Sequence, residues 1–473
     1  MSQGAWRVAD VRAAEEALMA RLPDGTLMQR AAAGLARRSA QLLGGVYGAR
    51  VLVLVGAGNN GGDALYAGAR LARRGARVSA LLLNPDRPHR GGLRALIKAH
   101  GSTVDDVPST VDIVLDGIVG IGGKGALRPE ASAAVEKTRN ATVVAVDVPS
   151  GVDADTGAVP GDAVVADVTV TFGCLKPGLL VGQGAIHAGL VDLVDIGLDP
   201  GVPPAVELAT HEDIRAWWPR PGRESDKYTR GVVGLATGSA TYPGAAVLSV
   251  AGACAGPTGM VRYAGAAAEY VKVRHPSVIV TGRVADAGRV QAWVCGSGLG
   301  TDEHAAGELR AVLAQPVPVC VDADGLTLLG DGTMGDALRS RRAPVVVTPH
   351  DREFARLAGE APGPDRVGSA LTLAAKLNAT VLLKGDRTVV AAPDGTAWVN
   401  PTGTAALATG GSGDVLSGLL GSLLAGGLPP VRAAVVAAYA HGLAGRRAAE
   451  GGPVTASDVA EALRGTVGDL TRR

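Results

Sequence analysis

The sequence predicts two consecutive α/β domains, each a mostly parallel sheet with helices on both faces. Three observations carry this. At 473 residues the chain is too long for one hydrophobic core. Short Val-rich apolar runs alternate with stretches of helical periodicity, the pattern of βαβ units. That alternation breaks once, in PGVPPAVELATHEDIRAWWPRPGRESDK, which carries five prolines and little periodicity and suits a linker. The boundary falls near 205, giving domains 1–205 and 206–473.

Taken in order, LMQRAAAGLARRSAQLL from about residue 28 has helical spacing and good helix formers. VLVLV (51–55) is a strand, followed by a glycine turn and a helix, ALYAGARLARRG (64–75), closed by Gly75. ARVSALLL (76–83), VDIVLDGIVG (111–120), ATVVAVDVPSG (141–151), DVTVTFG (167–173) and GLVDLVDIG (189–197) supply further strands. Beyond the boundary, VVGLATGS (232–239) is strand and turn, and PGAAVLSVAGACAG a helix of small residues. AWVCGSGLG (292–300), VPVCVDADGL (317–326), APVVVTPHDREFARL (343–357), ATVLLKGDRTVV (379–390) and a glycine-rich stretch at 410–418 complete a second, larger α/β domain. No residue-level repeat relates the halves.

Composition narrows the function classes. A formal net charge of +1 gives no field for nucleic acid or a membrane surface. Cys174, Cys254, Cys295 and Cys320 are widely spaced, as expected of reduced thiols rather than a disulfide framework or zinc site. MSQGAWRVAD lacks the regions of a secretory signal, and no unbroken apolar run reaches 18 residues, so a soluble, cytoplasmic protein is expected. The basic residues are mostly Arg, which makes each Lys worth examining.

Gly56, Gly58 and Gly61 satisfy G-x-G-x-x-G, the turn that seats a dinucleotide pyrophosphate at a helix N-terminus. A dehydrogenase also needs an acid at the end of the next strand, yet that strand ends LLLNPD, with Asn84 and Asp86 displaced past it. Asn59, Asn60 and Asp63 crowd the turn with polar groups instead. Two further strand ends should share the crevice: one with Asp116 and a glycine loop at 120–126, the other with Asp147 and Ser150. Each alone reads equally well as a cap or turn residue. Together, Asn60, Asp116, Asp147 and Ser150 suit an alkali or alkaline-earth cation, and a carboxylate there suits acid/base work.

GAGNNGGDA, the Asp116 strand with its loop, and VDVPSG resemble the NAD(P)HX epimerase family, the YjeF N-terminal domain, over roughly residues 8–200. The resemblance implies a Rossmann-like three-layer αβα sandwich acting on NADHX or NADPHX, the hydrates of NADH and NADPH, whose R and S forms differ at C6 of the nicotinamide ring. It implies that Asn59, Asn60, Gly61, Gly62, Asp63, Gly120, Ile121, Gly122, Gly123, Lys124, Gly125, Ala126 and Asp147 hold the hydrate. Asn60, Asp116 and Ser150 would ligate K+, and Asp147 would be the acid/base. GIGGKGA departs from the family's G-T-G-L form.

In the second half, TGGSGDVLSG (409–418) gathers backbone N–H groups at a helix start, an anion site able to hold transferring phosphate. Asp414 in that first turn can take a proton from an attacking hydroxyl, or simply close a tight turn. Lys384 in LLKGDRT reads as a solvated strand end or a phosphate contact, and His350 as a substrate contact or a helix start. Asp322 and Asp324 in VDADGL read as structural or near Mg2+, and GSGLG as a backbone-approach loop. These motifs, in this order, resemble the ribokinase-like YjeF C-terminal domain, the NAD(P)HX dehydratase, over about 210–470. The resemblance implies a ribokinase-like αβα domain using ADP with Mg2+. Lys384, Gly385, Asp386, Arg387, Thr388 and Gly413 would bind the adenine nucleotide. Ala245, Gly298, His350 and Asp414 would contact the hydrate, with Asp414 activating its hydroxyl. GSGLG replaces G-P-G-L-G and HDRE replaces H-P-G-E.

The expectation is a bifunctional repair enzyme with small-molecule substrates only, assembled as a homo-oligomer: the first half epimerises the hydrate, the second dehydrates its S form with ADP, giving AMP and phosphate. The alternatives are a ribokinase-fold vitamin kinase with a regulatory first half, a nucleotide-binding module without turnover and, last, a redox dehydrogenase.

Overall fold

The computed structural model describes residues 3–472 apart from 331, 333, 335–337, 339 and 340. One compact unit spans residues 4–205 and a second gathers residues 206–473. Among the described residues no helix is long and apolar enough to cross a membrane.

In the first unit seven parallel strands run in the spatial order Ser102–Val104, Arg77–Leu82, Arg50–Val55, Ile113–Gly117, Thr142–Val146, Val168–Phe172, Leu190–Val194. The chain starts in the middle, moves out to one side, then crosses to the other. The strand order therefore reverses between Arg50–Val55 and Ile113–Gly117, where open α/β sheets bind ligands. Leu52 to Val55 are at most 1% exposed, so the run is apolar without alternation because helices cover both faces. Each such side chain contributes about 1.5–3 kcal/mol.

The helix after the glycine turn spans Asn59–Ala72 and begins five residues earlier than its sequence pattern suggests. A β-carbon on Gly61 would lie 2.5 Å from the Gly56 carbonyl oxygen, so close backbone approach, not flexibility, is what the glycine supplies. Four elements lie outside the sequence reading: Val8–Met19, Arg90–Lys98, Ser102–Val104 and Pro129–Glu136.

The second unit's sheet runs Val206–Leu208, Ala397–Val399, Val389–Ala391, Thr380–Leu383, Val345–Val347, Val319–Val321, Ala292–Cys295, Val232–Ala236, Met260–Ala264, Ile279–Thr281. Lys384 stands just past the end of a buried strand, as its sequence setting predicts. Thr380–Leu383 and Val389–Ala391 pair antiparallel, so Lys384–Thr388 is the loop between them. One expectation changes: 200–225 is not wholly irregular. It contains Val206–Leu208 and a helix, His211–Trp217, fixed by a capping box between Thr210 and Asp213.

The small-residue helix Pro243–Cys254 packs directly on Ser412–Ala425. A β-carbon at Gly252 would lie 2.1 Å from the Val415 carbonyl oxygen, and one at Gly418 would lie 1.9 Å from that of Ser249. This reciprocal approach sets the position of the glycine-rich helix start.

Candidate active sites

In the first unit a cavity of about 710 Å³ opens over the strand-order reversal, lined among others by Asn59, Asn60, Asp63, Gly120 and Asp147. Asp147 follows Thr142–Val146 with φ 67°, a left-handed conformation that Asp tolerates better than most residues. Its Oδ1 accepts from Lys176 Nζ at 2.6 Å, Thr171 Oγ1 at 3.0 Å and the Phe172 N–H at 3.2 Å, leaving Oδ2 outside that set. The Lys176 side chain is 1% exposed and also donates to Thr171 Oγ1 and the Phe172 carbonyl, so its ammonium is fully held.

Sequence reasoning missed Lys176. The signal was present: it is one of only eight lysines and lies just beyond the Val168–Phe172 strand. It also missed Val8–Met19, which brings Arg12 and Glu15 to the cavity wall. Burial holds the Asp63 carboxyl well above its usual range, with Asp147 and Glu15 adding to the effect. Asp63 Oδ1 is buried without a partner. Glu15 is likewise raised, chiefly by burial and then by Asp147.

Asp116 and Ser150 meet behind this cavity. Asp116 is fully buried, and its two oxygens accept from Ser150 Oγ at 2.7 Å and Ser150 N–H at 2.9 Å. Burial still pushes its carboxyl up to about 6 against those bonds. Asn60 Oδ1 lies 3.0 Å from where a β-carbon on Gly120 would be, and Asn60 Nδ2 is buried without a partner. Asn60, Asp116 and Ser150 thus surround the start of one loop. Along that loop Gly120, Ile121 and Gly122 line the cavity, whereas Gly123, Lys124, Gly125 and Ala126 do not.

In the second unit, Ser412–Ala425 starts after Gly411, at φ 90°, and carries Asp414 in its first turn. Lys384 Nζ and Asp322 Oδ2 lie 3.5 Å and 3.7 Å from the position of a β-carbon on Gly413. Lys384 Nζ is 2.8 Å from Asp322 Oδ1 and 3.5 Å from Glu353 Oε2. Burial opposes the ammonium, but Asp322 and Glu353 outweigh it and raise the Lys384 pKa. Asp414 has no such partner. Burial pushes its carboxyl up to about 7, Asp322 adds to the shift, and the Ser297 hydroxyl and Lys384 pull against it.

Ala245 and Gly298 are neighbours: a β-carbon on Gly298, at φ 61°, would lie 2.7 Å from that of Ala245. His350 caps the Asp351–Ala358 helix, Nδ1 accepting from the Arg352 and Glu353 N–H groups, while Glu353 Oε2 accepts from the His350 N–H at 2.8 Å. Glu353, to which the sequence reading assigned no role, therefore links His350 to Lys384. Around the 384–388 loop, Thr388 Oγ1 donates to the Gly385 carbonyl. Arg387 does not join the lysine cluster; its Nη1 donates to the Pro401 carbonyl at 3.0 Å.

Comparison with known proteins follows the same division. A family described as "NAD(P)H-hydrate dehydratase" matches residues 233–464, and one described as "YjeF-related protein N-terminus" matches residues 24–178. A "Bifunctional NAD(P)H-hydrate repair enzyme Nnr" from Mycobacterium tuberculosis is 52% identical over 391 residues, 80% of each chain. An "NAD(P)H-hydrate epimerase" from Clavibacter michiganensis is 44% identical over 225 residues, 43% of this chain and 95% of that one. A ribokinase-like superfamily protein of Enterococcus faecalis, 24% identical, superposes with a TM-score of 0.51 over 57% of this chain and 98% of its own, which shows the fold.

Proposed function

The chain belongs to the bifunctional NAD(P)H-hydrate repair enzymes, and from that premise we propose how its two sites divide the work. The N-terminal half interconverts the R and S hydrates and the C-terminal half dehydrates the S form to NAD(P)H. The observation that carries the epimerase assignment is Asp147: one carboxylate oxygen is pinned by buried Lys176, and the residue lines the cavity. C6 of the hydrate bears both a hydroxyl and the ring nitrogen. Asp147 Oδ2 takes the hydroxyl proton as the C6–N bond breaks, and the proton passes to the nitrogen. Reclosure on the other face of the aldehyde gives the other epimer, while Lys176 steadies the carboxylate through the transfer. Asn59 to Asp63 and Gly120 to Gly122 hold the substrate.

A potassium ion fits beside this site. Asp116 is a buried carboxylate without a cationic partner, raised to about 6, and Asn60 turns its amide oxygen toward Gly120 at the start of the same loop. One carboxylate with an amide and a hydroxyl oxygen suits a singly charged hard cation. Asn60, Asp116 and Ser150 would hold it, and its charge would help anchor an anionic dinucleotide.

In the C-terminal half, Asp414 takes the proton of the C6 hydroxyl as it attacks the terminal phosphorus of ADP, and AMP leaves. Loss of phosphate from C6 and of a proton from C5 then restores the ring double bond. Lys384, Gly413 and the 384–388 loop hold the nucleotide, and Ala245, Gly298 and His350 the hydrate. Asp322, Glu353 and Asp414 outnumber Lys384, so an incoming diphosphate needs added positive charge, which Mg2+ supplies on binding. Supplying chemically hydrated NADH with ADP or with ATP, and following recovery of reduced-nicotinamide absorbance, tests the assignment. Recovery is expected with ADP; none with either nucleotide overturns it.

A further inference from the structure

The epimerase cavity has an end that the reaction centre does not use. Asp116, Asp147 and Lys176 all belong to or follow strands on one side of Arg50–Val55. On its other side lies Arg77–Leu82, and from the segment after that strand His89 reaches the cavity wall, together with Tyr66 from the Asn59–Ala72 helix. Asp86, nearer the strand end, is exposed and does not line the cavity.

The two rings meet edge to face, 5.7 Å between centroids at 62°. The imidazole also lies against the helix start, 2.8 Å from where a β-carbon on Gly62 would be. His89 Nδ1 accepts from the Gly92 N–H at 3.0 Å, so the neutral ring carries its proton on Nε2, which is left as a donor.

A dinucleotide with its reactive ring at Asp147 and its pyrophosphate over the Asn59–Gly62 helix start must place its adenosine on the Arg77–Leu82 side. Sites that read an unphosphorylated ribose put a carboxylate there, and that carboxylate repels a 2′-phosphate. Here an imidazole N–H takes the place. Resting on the epimerase reading above, we infer that His89 reads the ribose 2′ position and sets the preference between NADPHX and NADHX.

Two variants test this. His89→Asp keeps an acceptor for the Gly92 N–H, so the Arg90–Lys98 helix retains its cap, and brings a negative charge to the ribose end. His89→Asn keeps the acceptor without the charge. Epimerisation of R-NADHX and R-NADPHX is measured in the full chain, with dehydration of the S forms as the readout. For His89→Asp the NADPHX/NADHX ratio of kcat/KM should fall about tenfold, the order expected when a carboxylate faces the added phosphate. His89→Asn should lower it less. An unchanged ratio in His89→Asp overturns the inference, as does an equal fall in both variants, which would trace the effect to the cap. A wild-type chain that epimerises neither R hydrate would overturn the epimerase reading instead.

Discussion

The two sites are built from the same parts and wire them differently. Each has a glycine turn at a helix start, a lysine just beyond a strand, fully buried at Lys176 and half-buried at Lys384, and an aspartate proposed as the base. In the N-terminal site the lysine holds that aspartate directly, Lys176 to Asp147 at 2.6 Å. In the C-terminal site Lys384 is shared by Asp322 and Glu353, and Asp414 stands apart with its carboxyl pushed up to about 7. The second arrangement leaves the carboxyl pushed up to about 7; the first holds its carboxylate in place through a direct ion pair.

The hardest test of this contrast is to remove each aspartate in turn. Asp147→Asn should lower epimerisation by 10²-fold or more while S-hydrate dehydration persists, and Asp414→Asn should do the reverse; rates with separated R and S hydrates decide it. If either substitution silences both reactions, the sites are not independent. Lys176→Met should be nearly as damaging to epimerisation, and should lower the unfolding free energy of the N-terminal unit by about 3 kcal/mol, because it leaves a buried carboxylate unpaired. Thermal melts alongside the dehydratase assay separate that loss from damage to the second unit.

Next in size is pH dependence. As the proposed base Asp414 must be ionised to act, so dehydration should rise with pH through about 7. Lys384 lowers the Asp414 pKa, so Lys384→Met should move that limb to higher pH, and a limb that does not move would separate Lys384 from Asp414.

The smallest effect concerns Asp116. Its carboxyl is raised by burial, so the folded state is favoured with the group protonated, and that contribution is lost as pH rises from about 4 through about 6. A cation bound to the ionised carboxylate offsets the loss. Potassium should therefore raise the melting temperature of the N-terminal unit above pH 6 and do little at pH 5, as scanning calorimetry with and without the salt would show.

Much of the architecture was legible because buried parallel strands leave long Val-rich runs, such as 51–55 and 142–146. Short elements were not. The Thr210–Asp213 capping box was present in THED, but five surrounding prolines masked a seven-residue helix. Within the sites, motif residues such as Asp116 and Ser150 were legible because glycines and acids mark strand ends. Lys176 was not, since a lysine after a strand is ordinarily solvated and only the fold reveals that it is enclosed. His89 was overlooked for a related reason: the pattern asked for an acid there, and a histidine answers a different question about the ribose.

The left-handed backbone at Asp147 limits what evolution can place there before any chemistry is considered. At φ 67° Gly, Asn and Asp sit with the least strain, and most other residues carry about 1–2 kcal/mol of conformational cost. Of the three, one alone bears an ionisable group. Glutamate, the same acid with one more methylene, is thus excluded twice, by reach and by backbone. A chain that lost this aspartate would have few single-step routes back through other acids, and its epimerase half would decay toward a nucleotide-binding shell.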